Sequence, residues 1–337
     1  MDIDAAAAQP LLEATLQQLA RFGLIAEKVE HSANGCNDIM LSLRWNGGKA
    51  DYLAEVKRGL RPSTFGSFAL HIKQLDPEAL LITDYVSPPL AEQLKEYGIQ
   101  FVDAAGNAYL NHESLLIWVK GERPSQRLRA PVLGRAFQPT GLRVLFSLLA
   151  VPGLMRKPYR VIAEHTGVAH GTVGIVMTEL SKLGFLAEIG GQRRLLQPER
   201  LMRQWVEGYA RTLRPKLLLK TFRASTIGWW QTLDTKGLGL VLGGEAAAAR
   251  ITGIIEPEII TLYGSKAALT GFMIKHPMEP NDGGNVEVLN RFWHFEHEPP
   301  ELTPPLLTYA DLLVTGDARC LEAAQALEAG VVDRLAR

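Results

Sequence analysis

The turn Asn46-Gly47-Gly48 constrains this chain most, because an Asn/Gly turn between two strand-like runs demands an antiparallel hairpin. The runs are Asp38-Ile-Met-Leu-Ser-Leu-Arg-Trp45 and Asp51-Tyr-Leu-Ala-Glu-Val-Lys57. Alternate residues of a strand share a face, so Glu55 and Lys57 project together. Folding the first run back on the second brings Asp38 near Glu55. Two close carboxylates can hold Mg²⁺, and a lysine beside them can orient or activate a water. The candidate catalytic set is therefore Asp38, Glu55 and Lys57, with Asp38 and Glu55 as metal ligands. The plainer alternative is that Glu55 and Lys57 form an ordinary exposed i, i+2 pair on an edge strand.

The hairpin sits in a longer order: a helix over 10–22, a strand over 25–30, the two hairpin strands, a helix over 64–75 and a strand over 80–83. An acidic residue opening one strand, Glu-x-Lys on the next and this αβββαβ order together resemble the PD-(D/E)xK nuclease core. The resemblance implies a Mg²⁺-dependent endonuclease site. Glu13 and Gln74, on the flanking helices, are candidate auxiliary ligands, although polar residues on helix surfaces are usually just solvated.

At 337 residues the chain is long enough for two or three domains, each burying its own core. Its 47% hydrophobic and 21% charged residues exclude a disordered chain. No run approaches 18 apolar residues, and Met1-Asp-Ile-Asp4 is acidic where a signal peptide is basic. Neither membrane nor export is expected, and the cytoplasm is the expected compartment. Cys36 and Cys320 are too few for a disulfide framework or a thiolate zinc site, and the histidines show no zinc spacing.

The formal charge is zero but unevenly spread. Residues 120–220 hold eighteen Lys and Arg against six Asp and Glu, a balance of +12 that leaves −12 for the remainder. A basic middle between acidic parts is the footprint of one nucleic-acid-binding module, here double-stranded DNA.

A reading head lies within that basic middle. Leu142, Leu145, Phe146 and Leu149 recur at helical spacing, and Pro152-Gly153 ends that helix. A short helix over 159–165 follows, then the turn Thr166-Gly167-Val168 and a third helix over 170–183 with Val173, Val176 or Met177, and Leu180 on its core side. Two strands over 185–189 and 192–196, joined by Gly190-Gly191, read as a basic-tipped wing. This is the pattern of a winged helix-turn-helix. His170 and Thr172 are the base-edge candidates, and Arg156, Lys157, Arg160, Arg193 and Arg194 are the phosphate candidates.

A polar, proline-containing linker over 122–131 divides a first domain, 1–121, from the reading head, 132–197. Before it, Asp103 and Asn107 occupy a turn between two apolar strands, where such residues commonly cap the backbone, and their place close after the nuclease-like core leaves a substrate-contact role open. The last domain, 198–337, alternates strands and helices, so the fold class is α+β and multidomain with a C-terminal α/β domain. Gly243-Gly244 before a helix is a weak phosphate-cradle signal without a Walker lysine, and close packing explains it better.

Three phrases, Val102-Asp-Ala-Ala-Gly-Asn-Ala-Tyr-Leu110, Gly243-Gly-Glu-Ala-Ala-Ala-Ala249 and Tyr309-Ala-Asp-Leu-Leu-Val-Thr-Gly-Asp-Ala-Arg319, are similar to bacterial AbiEi-type antitoxins of type IV toxin-antitoxin systems. The resemblance covers most of residues 37–328. It implies a DNA-binding transcriptional regulator, an antitoxin-like repressor of its own operon, with a nucleotidyltransferase-like toxin as genetic partner. The nuclease-like first domain departs from the better-known members. Two functions follow from the sequence: a regulator in which that domain is a scaffold, a reading that admits a homodimer, or a Mg²⁺-dependent endonuclease delivered by its winged helix.

Overall fold

A computed structural model describes residues 3–29, 38–124, 134–226 and 228–335. The chain divides into two compact units, Met1–Val132 and Leu133–Arg337.

The first unit is built on a seven-stranded mixed sheet whose strand order is the chain order. Helix α1 (Ile3–Arg21) precedes β1 (Ile25–Val29), β2 (Asp38–Trp45) and β3 (Gly48–Lys57). Then come α2 (Pro62–Leu75), β4 (Leu80–Thr83), α3 (Pro88–Glu96), β5 (Gln100–Asp103), β6 (Ala108–His112) and β7 (Leu115–Val119). Strands β1, β2 and β3 are antiparallel, the last two joined by the tight turn at Asn46-Gly47, whereas the helical crossovers through α2 and α3 make β3, β4 and β5 parallel. Leu12 and Leu19 of α1 bury one sheet face with Leu43, Tyr52, Ile82 and Val102. Leu81 and Phe101 alternate with those residues and point to the opposite face.

Asp103 organises the turn after β5. Its carboxylate accepts from the backbone N–H of Val86, Ala105, Gly106 and Asn107 and from the Asn107 amide, all within 2.9 Å. Asn107 in turn accepts from the Glu122 N–H at 2.9 Å, fixing the exit of the chain from the unit. Both residues are turn-builders.

In the second unit, helices α4 (Pro139–Ala150), α5 (Tyr159–Thr166) and α6 (His170–Lys182) lead into the hairpin β8 (Leu186–Ile189) and β9 (Gln192–Leu195). Helix α7 (Pro198–Gly208) continues through a π-helical turn, Tyr209–Leu213, into the short α8 (Arg214–Leu217). A second sheet follows, from β10 (Leu218–Arg223), β11 (Val241–Gly243), β12 (Ile260–Gly264), β13 (Glu279–Pro280) and β14 (Val286–Asn290), in the order β11-β12-β14-β10-β13. Helices α9 (Thr235–Leu238), α10 (Gly244–Thr252), α11 (Lys266–Lys275), α12 (Pro305–Thr315) and α13 (Ala318–Leu335) complete it. The protein is thus mixed α+β, with several sheets.

The boundary expected at 197/198 falls inside this second unit. Trp205 of α7 donates its indole N–H to the Leu142 carbonyl of α4 at 2.8 Å and stacks on Phe146. Phe292 and Phe295, from the segment after β14, also pack on Phe146. One aromatic core therefore joins the α4–α6 helices to the second sheet's connections. Helix α1 also differs from its expected start at 10. It begins at Ile3 and runs through Pro10, because the alanine run before the proline strongly favours helix.

Candidate nucleic-acid interface

Helices α5 and α6 are set by the turn between them. Gly167 caps α5 in the left-handed conformation, φ 63°, which a side chain would strain. A Cβ there would also lie 2.2 Å from the His294 ring, so this turn can close only on glycine. His294 N–H further donates to the His165 carbonyl at 3.2 Å, anchoring the C-terminal end of α5. Helix α6 buries Val173, Val176, Met177 and Leu180, which leaves the opposite face outward. Gly190 and Gly191, both at positive φ, turn β8 back onto β9 in the two-residue form that suits a twisted hairpin.

The cationic residues separate into two groups. Arg156, Lys157, Arg160 and Arg194 are exposed beside α6 and on the hairpin, and Arg160 makes only a solvent-exposed i, i+4 pair with Glu164 at 3.4 Å. Arg193 is half-buried and occupied inside the protein. Its guanidinium donates to the Lys157 carbonyl at 2.6 Å and lies 4.7 Å from the Tyr159 ring centroid. Arg193 thus fastens the hairpin to the start of α5. His170 is exposed at the first turn of α6, 6.1 Å from the Tyr159 ring, and Thr172 is partly buried.

Of the outward stripe, Ile175, Thr178 and Lys182 were not among the sequence-based candidates. Gly171, Gly174, Ile175, Thr178 and Lys182, with Arg135 from the preceding turn, line a shallow groove along α6. The signal was available, since these positions recur at three- and four-residue spacing opposite the core set.

The other expected site lies in the first unit. The β2–β3 ladder pairs Asp38 with Glu55 in register, and Lys57 follows two residues on. The Asp38 side chain lies outside the described residues. Glu55 lies 3.6 Å from the His71 imidazole, and Glu13 is exposed and accepts from Gln9 at 3.1 Å on its own helix. Among the described residues no group of three or more His, Cys, Asp or Glu converges. Magnesium keeps several waters and takes one or two protein carboxylates, of which Glu55 is the one described here.

The most concentrated polar chemistry lies elsewhere, in the interior of the second unit. Asp311 of α12, 1% exposed, accepts from the Tyr209 hydroxyl at 2.6 Å, from the Tyr263 hydroxyl at 2.9 Å and from Arg214 Nε at 3.2 Å. Arg214 also pairs with Glu287, which accepts from Thr261 at 2.7 Å. Burial raises the Asp311 pKa, and Arg214 and the phenols oppose that rise. Burial pulls Arg214 down, but Glu287 and Asp311 outweigh it and hold it protonated. Burial and then Asp311 push both phenols well above the usual tyrosine range.

The Gly243-Gly244 pair closes over this network. A Cβ on Gly243 would lie 2.6 Å from the Tyr263 ring, and one on Gly244 2.8 Å from Thr261 Oγ1. The glycines are there for close packing.

The family model described as "Transcriptional regulator, AbiEi antitoxin, Type IV TA system" matches residues 194–333, from the second hairpin strand to the last helix. The resemblance read from the sequence holds over that region. No curated protein and no solved structure matches the chain. Among the described residues no helix is long and apolar enough to cross a membrane.

Proposed function

We propose that the chain is a DNA-binding transcriptional regulator of the antitoxin type, in which α4–α6 and the β8–β9 hairpin form a winged helix-turn-helix. The observation that carries this reading is the outward face of α6 together with the exposed cations Arg156 and Lys157 before α5, Arg160 on α5 and Arg194 on the hairpin. A helix of this kind enters a major groove while flanking cations neutralise phosphates. The family match supports the regulatory half, with a toxin encoded alongside as genetic partner, nucleotidyltransferase-like on the resemblance.

The first unit is cast as a scaffold rather than a nuclease. Its order of antiparallel and parallel strands fits the PD-(D/E)xK plan, but among the described residues no group of three or more metal-ligating side chains converges.

The test is binding of the purified full chain to a duplex spanning the start of its own operon, followed by fluorescence anisotropy from about 50 to 200 mM salt. Affinity should fall steeply with salt. Changing Arg156, Lys157 and Arg160 together to Ala should flatten the slope by about 0.9 for each lost phosphate contact. No binding to any duplex, or an unaltered slope, sinks this interface.

A further inference from the structure

The outward stripe of α6 carries two glycines that the protein's own packing does not require. A Cβ on Gly171 would meet nothing within 4 Å, and one on Gly174 would meet only the Tyr159 ring edge at 3.9 Å, an ordinary contact. Neither residue has a positive φ. Each glycine costs about 1 kcal/mol of helix propensity relative to alanine. The backbone is bared on the solvent side alone, where something outside the chain can approach it closely.

Between and beyond these glycines the stripe is apolar. Ile175 is 44% exposed, one residue past Gly174 and one turn past Gly171. Thr178 donates its hydroxyl to the Gly174 carbonyl at 2.9 Å, so that proton is engaged within the helix. The Glu179 carboxylate at the groove edge accepts from the Ala136 N–H at 2.8 Å. The middle of the helix therefore offers methyl groups and bare backbone, not the paired donors and acceptors that read guanine or adenine. Arg135 and Lys182 also line this groove, and Arg156, Lys157 and Arg194 of the same unit are exposed. An apolar strip inside a cationic border matches the floor of a DNA major groove bordered by phosphates.

The apolar feature of that floor is the methyl group at C5 of a pyrimidine. We infer, resting on the DNA-binding reading above, that Ile175, supported by the Thr178 methyl, is a specificity-determining residue that reads C5-methyl pyrimidines, with Gly171 and Gly174 letting the helix sink far enough to reach them. Thymine and 5-methylcytosine carry the same group, and the experiment separates them.

Duplexes bound by the full chain are selected from a randomised pool, and each thymine in the selected site is replaced singly by deoxyuridine, which removes the methyl alone. At one or two positions binding should weaken by about fourfold, the factor for one buried methyl-sized group. Ile175→Ala should bind the thymine and deoxyuridine duplexes equally while keeping its affinity for unselected DNA. Gly174→Leu should lose the selected site and retain unselected DNA.

Cytosine and 5-methylcytosine at the same positions show whether methylated sites are also taken. Gain with 5-methylcytosine extends the inference to both bases, and its absence confines it to thymine. Deoxyuridine without effect anywhere, or a penalty that persists in Ile175→Ala, overturns the inference while leaving DNA binding intact. Failure of the wild-type chain to bind any duplex removes the parent reading instead. A drop in oligomeric mass for Ile175→Arg, with DNA binding unchanged, reassigns the stripe to contact between copies of the chain and also overturns the inference.

Discussion

The buried cluster around Asp311 and the outer stripe of α6 belong to one compact unit and use their side chains in opposite ways. Around Asp311, two carboxylates, a guanidinium and two phenols are linked to one another with hardly any solvent. Along α6, glycine, isoleucine and threonine face outward with little polarity of their own. The residues that look most like a catalytic constellation hold the protein together, and the bland ones are those we propose face DNA. A buried ion pair must be satisfied internally or the fold suffers, whereas a recognition surface draws specificity from shape and from where it lacks donors.

The sharpest way to break this comparison is to remove the hub. Asp311→Ala leaves Arg214 short of one partner and strips both phenols of their acceptor, a loss on the order of 3–5 kcal/mol for a buried pair with one member deleted. Urea unfolding of the full chain should show it. Asp311→Asn, which keeps an acceptor for the tyrosines, should lose less. An Asp311→Ala protein as stable as the wild type would move this cluster out of the structural role.

A smaller effect separates two neighbouring arginines of the hairpin. Arg194 is exposed and free to meet phosphate, so Arg194→Ala should flatten the salt dependence of DNA binding by about one unit with an unchanged melting temperature. Arg193 holds the hairpin on the Lys157 carbonyl and the Tyr159 ring. Arg193→Ala should lower the melting temperature and weaken binding without the same change of slope. If the two variants behave alike, the division between fastening and phosphate contact is wrong.

These contrasts mark what was legible in the sequence. The strand 38–45 and the start of α6 at His170 were readable because alternation, helical period and turn residues are local signals. Arg193's carbonyl partner lies 36 positions away, and the tyrosines of Asp311 lie 48 and 102 positions away, distances over which a single sequence is silent. Glu55 and Lys57 repeat the lesson in the first unit. Their spacing was visible, but the imidazole of His71 beside Glu55 was not, and it comes from the packing of α2. The contact that crosses 197/198 is long-range in the same way, since the indole of Trp205 donates to a carbonyl 63 positions earlier.

Within the interior set the gentlest test is Glu245, the acidic residue of the phrase that opens α10. It is 2% exposed; one carboxylate oxygen accepts from the Glu258 N–H at 2.8 Å and faces Arg319 at 3.7 Å, while the other, Oε1, is buried with no hydrogen-bond partner. Burial raises its pKa above 4.5, and the Glu258 N–H and Arg319 only partly offset this. A folded pKa above the unfolded one means that the folded state binds the proton more tightly. The stability it contributes is fully present below the unfolded pKa of 4.5 and is lost as pH rises through the folded pKa. Glu245→Gln removes that titration and supplies an amide for the buried position. Relative to wild type, the variant should therefore gain stability as pH rises from 4.5 to 7, by on the order of 1 kcal/mol, the scale of relieving one unsatisfied buried acceptor. Denaturation midpoints compared across that range would read it. A variant that instead loses ground with rising pH would mean that the Arg319 pairing outweighs burial, and that this carboxylate is held as an ion by its neighbours.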